Sequence, residues 1–149
     1  MPAYWLMKSE PDAFSWEMLK SRGKKGEPWS GVRNFTARNN MKEMALGDLA
    51  FFYHSNIGKE VVGIMQVIAL AHPEAGDDIG VWKCVDVRAV EDLPQSVKLA
   101  EIKANPKLAN MALVKYSRLS VQPVTGDEWA EVCRMAGMSR ATKKPAKKP

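Results

Sequence analysis

Apolar positions along the chain come in short clusters, and their spacing alternates between the two-residue period of strands and the helical period of about 3.6. Tyr4, Trp5, Leu6 and Met7 read as a first strand, ended by Lys8-Ser9-Glu10-Pro11, where Pro11 has no N–H to offer a ladder. Ser15 is placed to cap a short helix, with Phe14 and Leu19 at hydrophobic-staple spacing and Gly23 as its stop. Residues 24–31 are rich in Gly, Pro, Lys and Ser and predict a surface loop, yet the loop carries Trp29. From Asn34, the positions of Phe35, Arg38, Met41 and Met44 predict a second helix reaching Ala45, broken by Gly47-Asp48. Phe35, Met41 and Met44 form its expected core stripe.

Residues 49–54, 61–70 and 81–90 are rich in β-branched and aromatic side chains and predict the central strands. The second of these is apolar on both alternating faces apart from Gln66, the pattern of a strand covered on each side. Residues 99–105 read as helix and 119–124 as strand. Thr125 and Glu128 have capping-box spacing for a last helix over 127–136, with Trp129, Val132 and Cys133 facing inward and Gly137 ending it. Helices inserted at irregular intervals among a few strands favour an α+β, barrel-like sheet over a doubly wound one.

At 149 residues, 46% hydrophobic and 26% charged, the composition is that of one globular domain. The start lacks the basic and apolar regions of a leader, and no run reaches the ~20 apolar residues of a membrane span. The expectation is a soluble monomer without membrane association: cytoplasmic if bacterial, nuclear if eukaryotic. The net charge of +5 is unevenly placed. Arg140, Lys143, Lys144, Lys147 and Lys148 lie in residues 139–149, which hold no acid; without those five, seventeen basic residues face seventeen acidic ones. The domain is expected over 1–138 and is formally neutral. Residues 139–149 read as a basic, Lys- and Pro-rich disordered tail, either a solubilising terminus or a tether with salt-sensitive attraction to phosphates. Cys84 and Cys133 stand far apart, and neither they nor His54 and His72 show metal-ligand spacing, so free thiols, no metal and no cofactor are expected.

No nucleophile–base motif, carboxylate pair or phosphate-gripping glycine loop is evident, which lowers the expectation of catalysis. What stands out is the density of aromatic, hydroxyl and amide groups in residues 8–11, 29–34 and 53–56. Such groups suit a flat heterocycle, with a ring face for stacking and polar groups for its edge.

The strings Tyr-Trp-Leu-Met-Lys-Ser-Glu-Pro (4–11), Trp-Ser-Gly-Val-Arg-Asn (29–34), Gly-Asp-Leu-Ala-Phe-Phe-Tyr-His-Ser-Asn (47–56) and Arg-Leu-Ser-Val-Gln-Pro-Val (118–124) closely resemble the EVE domain family, over about residues 4–137. The resemblance implies a PUA-like fold, a mixed and mostly closed sheet ringed by short helices, related to the YTH and ASCH domains. It also implies a reader of modified bases. By similarity to YTH readers, Lys8-Ser9 flanks the pocket, Trp29 is a cage wall and the Ser30 backbone meets the base edge. Gly31 permits close approach, and Val32 is counted with them among the base-binding residues. Trp29 is alternatively a loop tryptophan folded onto the core. Trp82 is either a second wall or a strand-end tryptophan covering the sheet; the loop 75–79 before it looks short for the family. Ser9 and Asn34 could bond a base edge or cap loops, and Arg33 could meet a phosphate or stack, or else form a structural ion pair. Tyr53, His54 and Ser55 end a strand near the expected mouth, with Arg118 and Ser120 opposite.

The leading reading is a non-catalytic domain binding a modified base of DNA or RNA in an aromatic-lined pocket. The alternatives are a small ASCH-like hydrolase of a modified nucleoside, with Lys8 and Glu10 the nearest available pair, and a protein-interaction module using the same groove.

Overall fold

A computed structural model describes residues 3–76 and 80–138. The basic tail 139–149 and Asp77, Asp78 and Ile79 of the loop before Trp82 lie outside the described residues. In chain order the elements are β1 (Tyr4–Ser9), α1 (Trp16–Ser21), a 3₁₀ turn (Gly23–Lys25), β2 (Glu27–Pro28), α2 (Phe35–Lys42), β3 (Leu49–His54), β4 (Glu60–Pro73), β5 (Lys83–Lys98), α3 (Leu99–Lys103), a second 3₁₀ turn (Pro106–Leu108), α4 (Ala112–Lys115), β6 (Val121–Val124) and α5 (Gly126–Met135).

Local chemistry sets the helix starts. Ser15 accepts the Met18 N–H, Asn34 accepts the Ala37 N–H at 2.8 Å, and Thr125 with Glu128 forms the expected capping box. Each cap satisfies a donor that the first turn leaves without a partner. The second helix stops at Lys42, three residues short of the expected Ala45. Beyond it the chain turns onto the buried carboxylate of Asp48, which accepts the N–H groups of Ala45 at 2.9 Å and Ala3 at 3.0 Å and the Trp5 indole N–H at 3.0 Å. Met41 and Met44 are core as expected, but Phe35 is 57% exposed and stacks on Trp82, so it leaves the stripe assigned to it.

The strands form one six-stranded sheet in the order β2-β5-β4-β3-β1-β6, with β1 parallel to β3 and the other pairs antiparallel. The α+β class is as expected; the closure is not. β2 has two residues and β6 four, too little ladder to join the two edges, and the sheet stays open. The β4–β5 ribbon is irregular: its register shifts four times along its length, and such bulges raise twist. Around Pro94 the ladder jumps from Val61↔Val97 to Gly63↔Asp92, and β5 continues eight residues past the expected end at 90.

Both faces of the sheet are covered. Leu6, Leu49, Phe51 and Tyr53 face a core closed by Ile102, Trp129 and Val132 from α3 and α5. Alternate residues Trp5, Met7, Ala50 and Phe52 face a second core closed by Trp16, Leu19, Ala37 and Met41 from α1 and α2. Trp16 lies over Gly63, where any Cβ would overlap its ring. Among the described residues, no helix is long and apolar enough to cross a membrane.

Candidate functional site

The second face is not completely sealed. Between the turn before α1, the loop after β2 and the end of β1 lies a cavity of about 430 Å³, inside the range of roughly 300–1,000 Å³ typical of small-ligand clefts. Trp29 forms its inner wall. The pairing of Glu27 with Val87 and Pro28 with Asp86 hangs the loop on the edge of β5, and the Trp29 N–H continues that ladder to the Val85 carbonyl at 2.8 Å. The indole is 6% exposed and meets Phe52 and Phe14 edge-on, at 5.3 Å and 6.4 Å between ring centres. Trp29 therefore belongs to the core and lines the cavity at once. The two sequence readings of this residue do not exclude each other.

After Trp29 the loop is held by one contact within the turn and by others distant in sequence. The Ser30 N–H donates to the Pro28 carbonyl at 3.0 Å, so the backbone donor expected to meet a base edge is engaged within the turn. Gly31 sits at φ +86°, a left-handed conformation that favours glycine, and its N–H donates to Glu74 at 2.6 Å. Arg33 reaches the other Glu74 oxygen at 2.7 Å and lies 5.0 Å above the Trp82 ring. Glu74 is 9% exposed, a buried carboxylate that pins residues 31–33 from the end of β4. Asn34 spends its side-chain oxygen on the α2 cap.

Across the cavity stand Lys8, Ser9, Phe14 and Ser120. The Lys8 N–H donates to the Ser120 carbonyl, which ties the end of β1 to the segment before β6. The Ser9 hydroxyl donates to the Phe14 carbonyl at 2.6 Å, leaving its oxygen able to accept. The Lys8 ammonium donates to the Ser117 carbonyl at 2.7 Å, and partial burial lowers its pKa below the ordinary lysine value. No ion pair joins Lys8 to Glu10 among the described residues. Glu27 brings a carboxylate to the rim and is paired with Arg22 at 2.8 Å.

Of the residues expected at the site, Ser9, Trp29, Ser30, Gly31, Val32, Arg33 and Ser120 line this cavity. Tyr53, Ser55 and Arg118 line a neighbouring groove of about 750 Å³ that shares Lys8, Ser9 and Ser120 with it. Tyr53 is otherwise core, and burial pushes its phenol up to about 12. Asn34 and Arg118 border a third, shallower hollow beside Tyr116. His54 and Trp82 line none of the three. His54 turns toward α1 and accepts the Trp16 N–H at 3.1 Å, so it is a helix-anchoring side chain; burial lowers its pKa and favours the neutral ring that can accept. Trp82 lies outside the cavity, stacked on Phe35 at 4.9 Å and under Arg33.

Glu27, Phe14 and Glu74 were missed in the sequence. Glu27 directly precedes Pro28-Trp29, a signal that was there to use; Glu74 is more than forty residues from its partners and gave none. The spacing of His72 was likewise uninformative. Across the β4–β5 ladder it faces Cys84, and the ligand atoms of His72, Cys84 and Asp86 lie within 4.8 Å of one another. His72 bonds Asp86 at 2.8 Å, which raises its pKa, whereas burial pushes the Cys84 thiol up to about 11 and disfavours the thiolate that binds metals best.

An open α+β sheet of PUA-like type, with an aromatic-walled cavity opening at one end of β1, defines the class of protein. The chain belongs to the EVE domain family, whose model matches residues 3–135. It is 35% identical to human thymocyte nuclear protein 1 over 161 residues, covering 87% of this chain and 72% of that one. Among solved structures it is similar to protein Atu2648 from Agrobacterium tumefaciens (TM-score 0.90, 57% identity, 93% and 97% of the two chains). It is also similar to human THYN1 protein in complex with 5-methylcytosine-containing DNA (TM-score 0.83, 34% identity, 90% and 97%). The YTH domain of Zygosaccharomyces rouxii MRB1 protein, in complex with N6-methyladenosine RNA, shares the fold at TM-score 0.56 and 15% identity over 94% and 90% of the chains.

Proposed function

We propose that this EVE domain is a non-catalytic reader that takes a single modified base of DNA or RNA into the 430 Å³ cavity. The observation that carries the reading is the pinned loop: Trp29 is fixed by the sheet edge and the rings of Phe14 and Phe52, and Gly31 to Arg33 by buried Glu74. A rigid aromatic wall loses little entropy when a base stacks on it. The hydroxyls of Ser9, Ser30 and Ser120 and the carboxylate of Glu27 supply the edge contacts, and a carboxylate suits the exocyclic amine of a cytosine-type base. The similar human protein held on 5-methylcytosine DNA makes that base the first to try.

The test is a titration with single-stranded oligonucleotides that differ only in carrying cytosine or 5-methylcytosine, extended to other modified bases. The expected result is tighter binding of at least one modified strand and recovery of that strand chemically unchanged. Trp29→Phe, which keeps a ring in the core, is expected to weaken that binding by roughly tenfold, the lower part of the range for stacking on one aromatic. Equal affinity for every base, or release of a product, would overturn the reading.

A further inference from the structure

The base cavity accounts for one end of a second feature. Lys8, Ser9 and Ser120 line both it and the 750 Å³ groove beside it, so the two form one continuous surface. The groove collects Lys8, Lys59, Lys103 and Arg118 against a single carboxylate, that of Glu10. These cations come from the end of β1, the turn before β4, the last turn of α3 and the segment after α4, so no single run of sequence announces them. Residues 1–138 are formally neutral, which makes this convergence a local excess and not a share of a generally basic surface. Lys59, Lys103 and Arg118 are exposed and form none of the described ion pairs. Ser55, Asn56 and Ser117 add neutral polar groups between the charges.

We propose that this groove is the track for the phosphodiester backbone of the strand whose base enters the adjoining cavity. The proposal rests on the base-reading function above. A nucleotide seated with its base against Trp29 has its sugar at the shared rim of Lys8, Ser9 and Ser120, and the next phosphates of the chain fall to Lys59, Lys103 and Arg118. The contacts are to phosphate, so they position the strand and carry no base preference of their own.

The experiment uses the full chain and measures binding of single-stranded oligonucleotides, with and without a central 5-methylcytosine, between 50 and 200 mM salt. The double variant Lys59→Gln/Lys103→Gln is compared with wild type. Removing two phosphate contacts is expected to make the slope of log affinity against log salt shallower by about 1.4, since each contact on a single strand contributes about 0.7. Wild type then loses roughly sevenfold more affinity than the variant across that salt range. Modified and unmodified strands should weaken by the same factor, leaving the ratio between them as in wild type. Arg118→Gln added to the pair should flatten the slope again, and Lys59→Arg/Lys103→Arg should restore it. An unchanged slope in the double variant, with the preference for the modified strand intact, overturns the groove and leaves the base reading standing. A slope unchanged with the preference lost shows that these lysines read the base, and also overturns it. If wild type shows no preference for any modified strand, the base reading fails and the groove assignment falls with it.

Discussion

The two faces of the sheet are built from the same materials and finished differently. On one, Trp129 projects from a helix held by a complete capping box and stacks on Phe51 at 3.8 Å and on Tyr4 at 4.5 Å. On the other, Trp29 meets Phe52 and Phe14 edge-on and is carried by a loop hung on a two-residue strand. Both tryptophans are buried, at 1% and 6% exposure. Burial therefore does not separate the structural ring from the candidate binding ring. What separates them is the element that carries each ring, a regular helix for Trp129 and an irregular segment for Trp29 that leaves 430 Å³ open. Irregular segments carried on a rigid scaffold are where binding sites concentrate.

The largest expected contrast is in stability. Trp129→Ala should cost roughly 3–5 kcal/mol in denaturant unfolding, the usual penalty for emptying a fully packed aromatic site, with no selective effect on base preference in the fraction that stays folded. Trp29→Ala should cost less, about 2–3 kcal/mol, because part of its ring already faces a cavity, while abolishing the preference for a modified strand. Equal stability losses with equal binding losses for the two variants would remove the distinction between the faces.

A smaller effect is expected at the loop's anchor. Glu74→Gln removes the charge that receives the Gly31 N–H and the Arg33 guanidinium, and should lower stability by roughly 1.5–3 kcal/mol, the scale of hydrogen bonds to an ionised group. Binding should weaken with it through loosening of residues 31–33. If binding is untouched, the pinned loop is not what preorganises the pocket.

The smallest effect is a pair of opposite pH dependences. The folded pKa of His54 lies below its ordinary 6.5, so the stability tied to its neutral ring is present above that value and is lost as pH falls toward the folded pKa. The folded pKa of His72 lies above 6.5 because of Asp86, so its contribution is complete below 6.5 and is lost as pH rises through the folded pKa. The melting-temperature deficit relative to wild type should therefore grow from pH 5 to 8 in His54→Gln and shrink over the same range in His72→Gln; the same trend in both would contradict the assigned partners.

Sequence reading succeeded where the determining contact is a few residues away. The caps at Ser15 and Thr125 are local hydrogen bonds, and the strand formed by the apolar run from Tyr4 to Met7 is a property of that run itself. It erred where a distant partner overrode a local pattern. Phe35 falls on a helical stripe, yet Trp82 offers it a stacking surface outside the core. His54 ends a strand near the expected mouth, yet the first turn of α1 claims its ring.

From sequence alone, the α+β class, most elements and the loop holding Trp29 were settled, because period, capping and turn chemistry act within one or two turns of chain. The tertiary structure decided that the sheet stays open, since closure depends on how much ladder the edge strands β2 and β6 present. It decided which residues share the cavity, since Glu74 reaches Gly31 and Arg33 only through the fold. It also gathered Lys8, Lys59, Lys103 and Arg118 into one groove, because charge density depends on distances in space that a formally neutral domain sequence does not encode in any single segment.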